Sequence, residues 1–247
     1  MKLHSRKVSF LFICLQLLMY AAFLFLDLTG GSTTISSYIK FMVIILCFCY
    51  ALFAKRRADK SILFLMKAGL FFTVISDLLI LILDVYFYGV LTFIIVQQVY
   101  GIRISMENFI LQREATSKRI WSSFVRRVLL QLVVSFTICS LLALSSVELE
   151  PLLMASVFYF ISIVMNTFVS VKTALTYPNS RRVRMFALGM FLFLLCDINV
   201  GLFNLSGFIA MPQSTYSDIY GISSILMWTF YAPSQVILAL STRSPIK

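Results

Sequence analysis

Apolar positions in this chain come in long unbroken runs separated by short polar clusters. About 20 apolar residues in helical form cross the hydrocarbon core of a bilayer. The runs at 8–29, 35–54, 62–83, 85–104, 124–144, 149–175, 185–209 and 219–241 all reach that length. They predict an all-α polytopic membrane protein: eight transmembrane helices in one integral membrane domain over residues 1–247. Thr29-Gly30-Gly31-Ser32-Thr33, the charged stretch 55–60, Tyr177-Pro178-Asn179-Ser180-Arg181-Arg182 and Ala210-Met211-Pro212-Gln213-Ser214 are the turn signals between runs. The weakest break is at Asp84, where the third and fourth runs nearly touch. The first run has a basic start, as a signal peptide does. It is too long for one and lacks a small-x-small cleavage site, so it reads as a retained helix.

Composition narrows the picture further. Hydrophobic residues make up 60% of the chain and charged residues 13%, and the mean hydropathy is +0.95. A soluble domain carries about 25% charged residues. With about half that share, this chain cannot cover a water-facing surface. A soluble enzyme, a nucleic-acid-binding domain and a disordered chain are excluded.

The net charge of +11, from 21 Lys and Arg against 10 Asp and Glu, matters through its placement. The basic residues fall in alternate loops. Lys2, Arg6 and Lys7 precede the first run, and Lys55, Arg56, Arg57 and Lys60 follow the second. Arg103, Arg113, Lys118, Arg119, Arg126 and Arg127 surround the fourth loop; Arg181, Arg182 and Arg184 lie in the sixth; Arg243 and Lys247 end the chain. The remaining loops hold Asp84, Glu148, Glu150 and Asp218. This alternation predicts that both termini are cytosolic, in a protein expected at the cell (plasma) membrane. No nucleic-acid partner is expected, and anionic lipid is a secondary contact for the basic loops. Cys14, Cys47, Cys49, Cys139 and Cys196 all lie in apolar runs, and His4 is the single histidine. That pattern has no metal-ligand spacing, so no metal and no cofactor is expected, and the cysteines read as small apolar fillers.

The informative residues are the ionisable ones inside the runs. A charge at mid-membrane costs about 2.5–3.5 kcal/mol on insertion scales. Asp77 and Asp197 lie well inside the third and seventh runs, and each follows a glycine by eight residues: Gly69 before Asp77, Gly189 before Asp197. An offset of about 120 residues between these segments raises the expectation of two related four-helix halves. Tyr86, Gly89, Phe93, Gln97 and Tyr100 step along one face of the fourth run. Tyr159, Ser162, Asn166, Ser170 and Thr173 do so in the sixth, and Tyr231 and Gln235 in the eighth. Polar faces of this kind point into a bundle. Two readings stand: a polar site centred on the aspartates, or a buried network that only joins helices. Lys67, ten residues before Asp77, reads as a snorkelling side chain rather than a counter-ion.

At these residues the chain resembles the YhhN-type lysoplasmalogenase family of multi-pass membrane hydrolases. The resemblance rests on Ser76-Asp77-Leu78-Leu79, on Phe87, Gly89, Phe93, Gln97 and Tyr100, on Phe193-Leu194-Leu195-Cys196-Asp197, and on Tyr231, Gln235 and Ala239, in that order. It covers the third to eighth runs. Gln97 stands where the family often has histidine, and Cys196 where it often has serine. The resemblance implies hydrolysis of the vinyl ether bond of a lysoplasmalogen, with a membrane lysophospholipid as substrate and Asp77 and Asp197 as the catalytic pair. Gln97, Tyr100, Tyr231 and Gln235 are the implied orienting groups. The scheme needs one carboxyl protonated and its partner ionised, which burial beside a second carboxylate is suited to arrange. The alternative is a non-catalytic multi-pass protein, a transporter or a sensory module, since transporters also combine repeated halves with mid-membrane acids.

Overall fold

The computed structural model describes residues 2–54, 60–204 and 212–243, with side chains from residue 7 onward. The stretch 55–59 of the charged turn and residues 210–211 of the last turn signal lie outside the described residues. The described chain is a helical bundle: α1 Lys2–Thr29, α2 Thr33–Leu52, α3 Lys60–Asp77, α4 Tyr86–Leu111, α5 Ser117–Leu144, α6 Pro151–Thr176, α7 Arg181–Phe203 and α8 Gln213–Ser241. All 8, α3 counted together with the five residues that follow it, are long and apolar enough to cross a membrane. The chain is thus an integral, multi-pass membrane protein, and an even number of crossings returns both ends to one side.

Several helices run past the apolar limits read from the sequence. Helix α4 continues to Leu111 instead of ending near 104, and α5 starts at Ser117 instead of 124. The added turns carry charged residues, which hydropathy counts against a span. One of them, Glu107, is paired with Arg103 inside the bundle, so its charge does not stop the helix. Helix α7 runs to Phe203, and residues 205–209 of the expected span lie outside the described residues. Lys67 donates from Nζ to the Leu52 carbonyl at the end of α2, 3.0 Å away, as a snorkelling lysine does.

Packing follows a repeat of four helices. Helix α1 packs on α2, α2 on α3 and α3 on α4; likewise α5 on α6, α6 on α7 and α7 on α8. Between the halves, α4 packs on α6 and α5, while α8 packs on α2 and α1. Advancing every helix by four, with α8 wrapping to α4, maps this set onto itself. Two halves of four spans cross the bilayer in the same sense, so the relating axis lies along the membrane normal. The glycines at equivalent places do equivalent work. A Cβ on Gly69 would run into the Tyr100 ring, and one on Gly189 would stand 2.7 Å from Leu238 Cγ. Both permit close approach between the third and fourth helix of their half.

Helix α8 contains Pro233. Proline has no N–H, so the carbonyl four residues earlier loses its helical donor. That carbonyl, on Thr229, accepts instead from the Tyr20 hydroxyl of α1 at 3.4 Å. In a membrane, a neighbouring helix is a ready source of such a replacement donor.

Candidate functional site

Asp77 is the last residue of α3. The next five, Leu78–Ile82, form a π turn, closed by Leu83 N–H donating to Leu78 O at 3.0 Å. Asp84 then takes a positive φ of 54°, and α4 begins. The wider turn fits against α4, with the Ser76 hydroxyl donating to Gly89 O at 2.6 Å. A Cβ on Gly89 would overlap Ile80 of that turn. π turns inside helices are frequent at functional sites. Asp197 lies within α7, preceded by Cys196.

Both carboxylates are buried, Asp77 4% exposed and Asp197 9%. Each is held by one tyrosine from another helix. The Tyr231 hydroxyl of α8 donates to Asp77 Oδ2 at 2.7 Å. The Tyr159 hydroxyl of α6 donates to Asp197 Oδ2 at 2.6 Å. Both lengths fall within the ordinary range of an O–H···O hydrogen bond. The two pairs share an aromatic wall. The Phe93 ring lies 5.7 Å from Tyr159, 5.9 Å from Phe193 and 6.4 Å from Tyr231. Phe193 also meets Tyr231 at 5.4 Å. Cys196 lies within electrostatic range of both carboxylates. The two aspartates therefore belong to one locus, joined through Tyr159, Phe93, Phe193 and Tyr231.

The remaining sequence candidates divide. Gln97 is fully buried; its backbone O and its Oε1 accept from Asn166 Nδ2 of α6 at 2.7 and 3.0 Å. Its Nε2 makes no hydrogen bond among the described residues, although the amide lies beside the Tyr159 hydroxyl. Gln235 is fully buried, and neither amide atom has a partner among the described residues. The Tyr100 hydroxyl makes no hydrogen bond to either carboxylate among the described residues. Its ring packs on Gly69 and, edge-on, against Phe186 at 5.6 Å. Tyr86, expected on the inward face of α4, is 54% exposed, because it is the first residue of the helix and lies at the rim.

The polar stripe of α6 is largely joinery. Thr173 donates to Asn108 Oδ1 of α4 at 3.1 Å and Asn166 Nδ2 to Gln97 O of α4 at 2.7 Å. Tyr159, the first residue of that stripe, does something else, since it holds a site carboxylate. Nothing in helical spacing separates it from its neighbours, because its partner is on α7. Asn199 turns back to its own helix, donating to Leu195 O at 2.7 Å.

Arg103 and Arg182, counted with the loop charges, lie inside the bundle together with Glu107. Arg103, Glu107 and Arg182 are at most 2% exposed. Glu107 pairs with Arg103 Nη2 through one oxygen and with Arg182 Nε through the other, both at 2.7 Å. Arg127 lies against Gly101, where a Cβ would overlap its guanidinium, and donates to Gln98 O and Oε1 at 3.2 Å. The signal that was present is the Arg103–Glu107 spacing of four on one helix face. Among the described residues, no three His, Cys, Asp or Glu side chains come together as a metal site would require.

Comparison with protein-family models, curated proteins and solved structures found no match.

Proposed function

We propose that this chain is a membrane-embedded hydrolase that cleaves the vinyl ether bond of a lysoplasmalogen, releasing a fatty aldehyde and a glycerophospho-base. The observation that carries the reading is the pair of buried carboxylates, each gripped by a tyrosine hydroxyl and brought into one aromatic-walled locus. Intramembrane acids are costly and mark sites by default. The ordered resemblance to the YhhN-type family, which runs through these same residues, supports the substrate class.

Acid chemistry on a vinyl ether needs little else. A carboxylic acid delivers its proton to the carbon remote from oxygen, leaving an oxocarbenium ion. In this scheme the second carboxylate takes a proton from the water that attacks that cation. The resulting hemiacetal collapses to aldehyde and alcohol, so the atoms balance with one water consumed. Tyr159 and Tyr231 orient the acids. The amides of Gln97 and Gln235, short of partners within the described chain, are available to a polar ligand or to water. The plasma membrane is the proposed location.

The test is aldehyde release from a panel of lysophospholipids with and without the vinyl ether, using purified protein in detergent. Release confined to the vinyl ethers, and lost in Asp77→Asn and Asp197→Asn, is expected. A folded protein inert at every pH would favour the second reading, a non-catalytic transporter or sensory module. The observation behind that second reading is the four-helix repeat in the packing, an arrangement that transporters also use.

A further inference from the structure

One cation breaks the charge pattern of the loops. Lys40 lies in the first half of α2, toward the end of the bundle that carries the α1–α2 turn. Among the described residues, every other Lys and Arg inside a span lies in the half toward the opposite end. A lysine inside a span is costly, and one that does not follow the topology pattern marks a site by default. Lys40 Nζ lies 2.8 Å from Asp27 Oδ2 of α1, and Asp27 Oδ1 accepts from the Ser36 hydroxyl at 2.6 Å. The ammonium also faces two rings, Trp228 of α8 at 5.0 Å and Phe23 of α1 at 5.6 Å from their centroids. Both are cation–π distances. The Lys40 and Asp27 side chains are 12% and 20% exposed. The pair is thus sheltered but reachable from outside the bundle.

This pair is continuous with the carboxylate locus. Trp228 meets Tyr231 edge-on at 5.3 Å, and the Tyr231 hydroxyl holds Asp77. Chain direction gives the order in depth. Helix α8 runs inward from the end bearing the α1–α2 turn, so Trp228 lies outward of Tyr231. Helix α1 runs toward that end, so Asp27 lies outward of Phe23. From the interior outward the groups are Asp77 with Tyr231, then Trp228 with Lys40, then Asp27.

We propose that Lys40 and Asp27, backed by Trp228 and Phe23, form the subsite for the zwitterionic phospho-base of a lysophospholipid, a phosphocholine or phosphoethanolamine. The subsite rests on the reading of the carboxylates as the place where the ether binds. The order of groups matches the order of the ligand: ether at the aspartates, glycerol along Tyr231 and Trp228, phosphate at Lys40, ammonium at Asp27. A lysine ammonium has three N–H donors, so Lys40 can hold Asp27 and phosphate oxygens together. Asp27 and the Trp228 face meet the positive end of the head group, as aromatic rings do with quaternary ammonium ligands. The Lys40–Asp27 pair is neutral, and so is a phospho-base. A phosphate monoester would add a negative charge with no partner, which a sheltered site disfavours.

The test is ligand binding to the purified full-length protein in a non-ionic detergent. It is read by fluorescence in a Trp121→Phe background, which leaves Trp228 as the one tryptophan. The probes are saturated 1-O-alkyl lysolipids, which have no vinyl bond to cleave, bearing phosphocholine, phosphoethanolamine or phosphate alone. The two zwitterionic probes should bind saturably and more tightly than the monoester. Lys40→Gln should weaken all three roughly tenfold to a hundredfold, the range for a lost hydrogen bond to a charged group. Asp27→Asn should reverse the preference, because Lys40 then stands alone and favours the anion; lost stability alone cannot reverse a preference. Equal binding of the three probes by the parent, or an unchanged preference in Asp27→Asn, would overturn the subsite. Should a variant fail to fold, the parent's order of the three probes decides. Soluble glycerophosphocholine has no chain to bury and should bind far more weakly; binding as tight as the lysolipid's would overturn the lipid assignment. Turnover of vinyl ethers is measured beside binding. The expected order of binding without turnover rejects the hydrolase and supports the subsite, whereas turnover without head-group preference does the reverse.

Discussion

Among the described residues, each of the two carboxylates is held by a single tyrosine hydroxyl. A hydrogen bond to a charged group contributes about 1.5–3 kcal/mol, and each 1.4 kcal/mol is a factor of ten in rate. Tyr159→Phe and Tyr231→Phe should therefore each lower kcat roughly tenfold to a hundredfold if the hydroxyls orient the reacting acids. Steady-state aldehyde release with the two variants checks this, and an unchanged kcat in both would remove the tyrosines from the mechanism. The aspartates themselves differ in kind. Asp77→Asn and Asp197→Asn keep size and lose proton exchange, so both should abolish turnover. Neither should lose the fold, because removing a buried charge from low dielectric is often neutral or stabilising. Gln97 tests the same chemistry from the other side. Its amide donates a hydrogen bond but cannot titrate near neutral pH. If proton transfer at this position limits the rate, Gln97→His should raise activity and add a titration near pH 6.5 to the profile. If only a hydrogen bond is needed, the profile should be unchanged. At this scale the aspartates, Gln97, Tyr231 and Gln235 were legible, because a polar residue in an apolar run is conspicuous. Tyr159 was visible only as a member of a stripe, and the Arg103–Glu107–Arg182 cluster was not read at all. Their meaning lies in partners on other helices, which spacing along one helix does not contain.

At the scale of elements, the apolar runs identified which helices exist but not how far they extend. Hydropathy scores a charge as exposed, whereas Arg103 and Glu107 neutralise one another inside α4 and allow it two further turns. The π turn after Asp77 was equally invisible, since Leu78–Ile82 is as apolar as any helix. The packing glycines are a sharper matter. Gly69→Ala and Gly189→Ala each insert a methyl where a neighbouring side chain already sits. Overpacking of this kind costs about 1–3 kcal/mol. Because the two sites are equivalent under the four-helix repeat, both variants should melt lower by similar amounts; Gly201→Ala, with nothing within 4 Å, is the control and should not. Pro233 allows a further check. Its missing N–H makes Tyr20 the donor to Thr229 O. Tyr20→Phe should therefore cost about 0.5–1.5 kcal/mol in the parent and less in a Pro233→Ala background, where the helix supplies its own bond. A double-mutant cycle read by thermal unfolding gives the difference, and independence of the two sites would dismiss the link.

For the whole molecule, the repeat and the charge pattern make one joint claim about orientation. Crossings by α1 to α8 put the connections α1–α2, α5–α6 and α7–α8 at one end of the bundle and α4–α5 and α6–α7 at the other. The second end carries Arg113, Lys118, Arg119, Arg181 and Arg184, and the C-terminal Arg243 lies there too, with its guanidinium 4.1 Å from the centre of the Tyr50 ring near the end of α2. Positive charge in short loops is retained on the cytosolic side, so this end should face the cytosol. Ser32, Ser146 and Ser214 are exposed at the first end, and Thr116 and Asn179 at the second. Single cysteines at these positions, in a background lacking the five native cysteines, report the side directly. A membrane-impermeant maleimide applied to intact cells should label positions 32, 146 and 214 and leave 116 and 179 unlabelled until the membrane is opened. Labelling of 116 or 179 from outside would reverse the orientation. A mixture within either group would mean that one of the helices does not cross, and with it the repeat that relates α1–α4 to α5–α8 would fail.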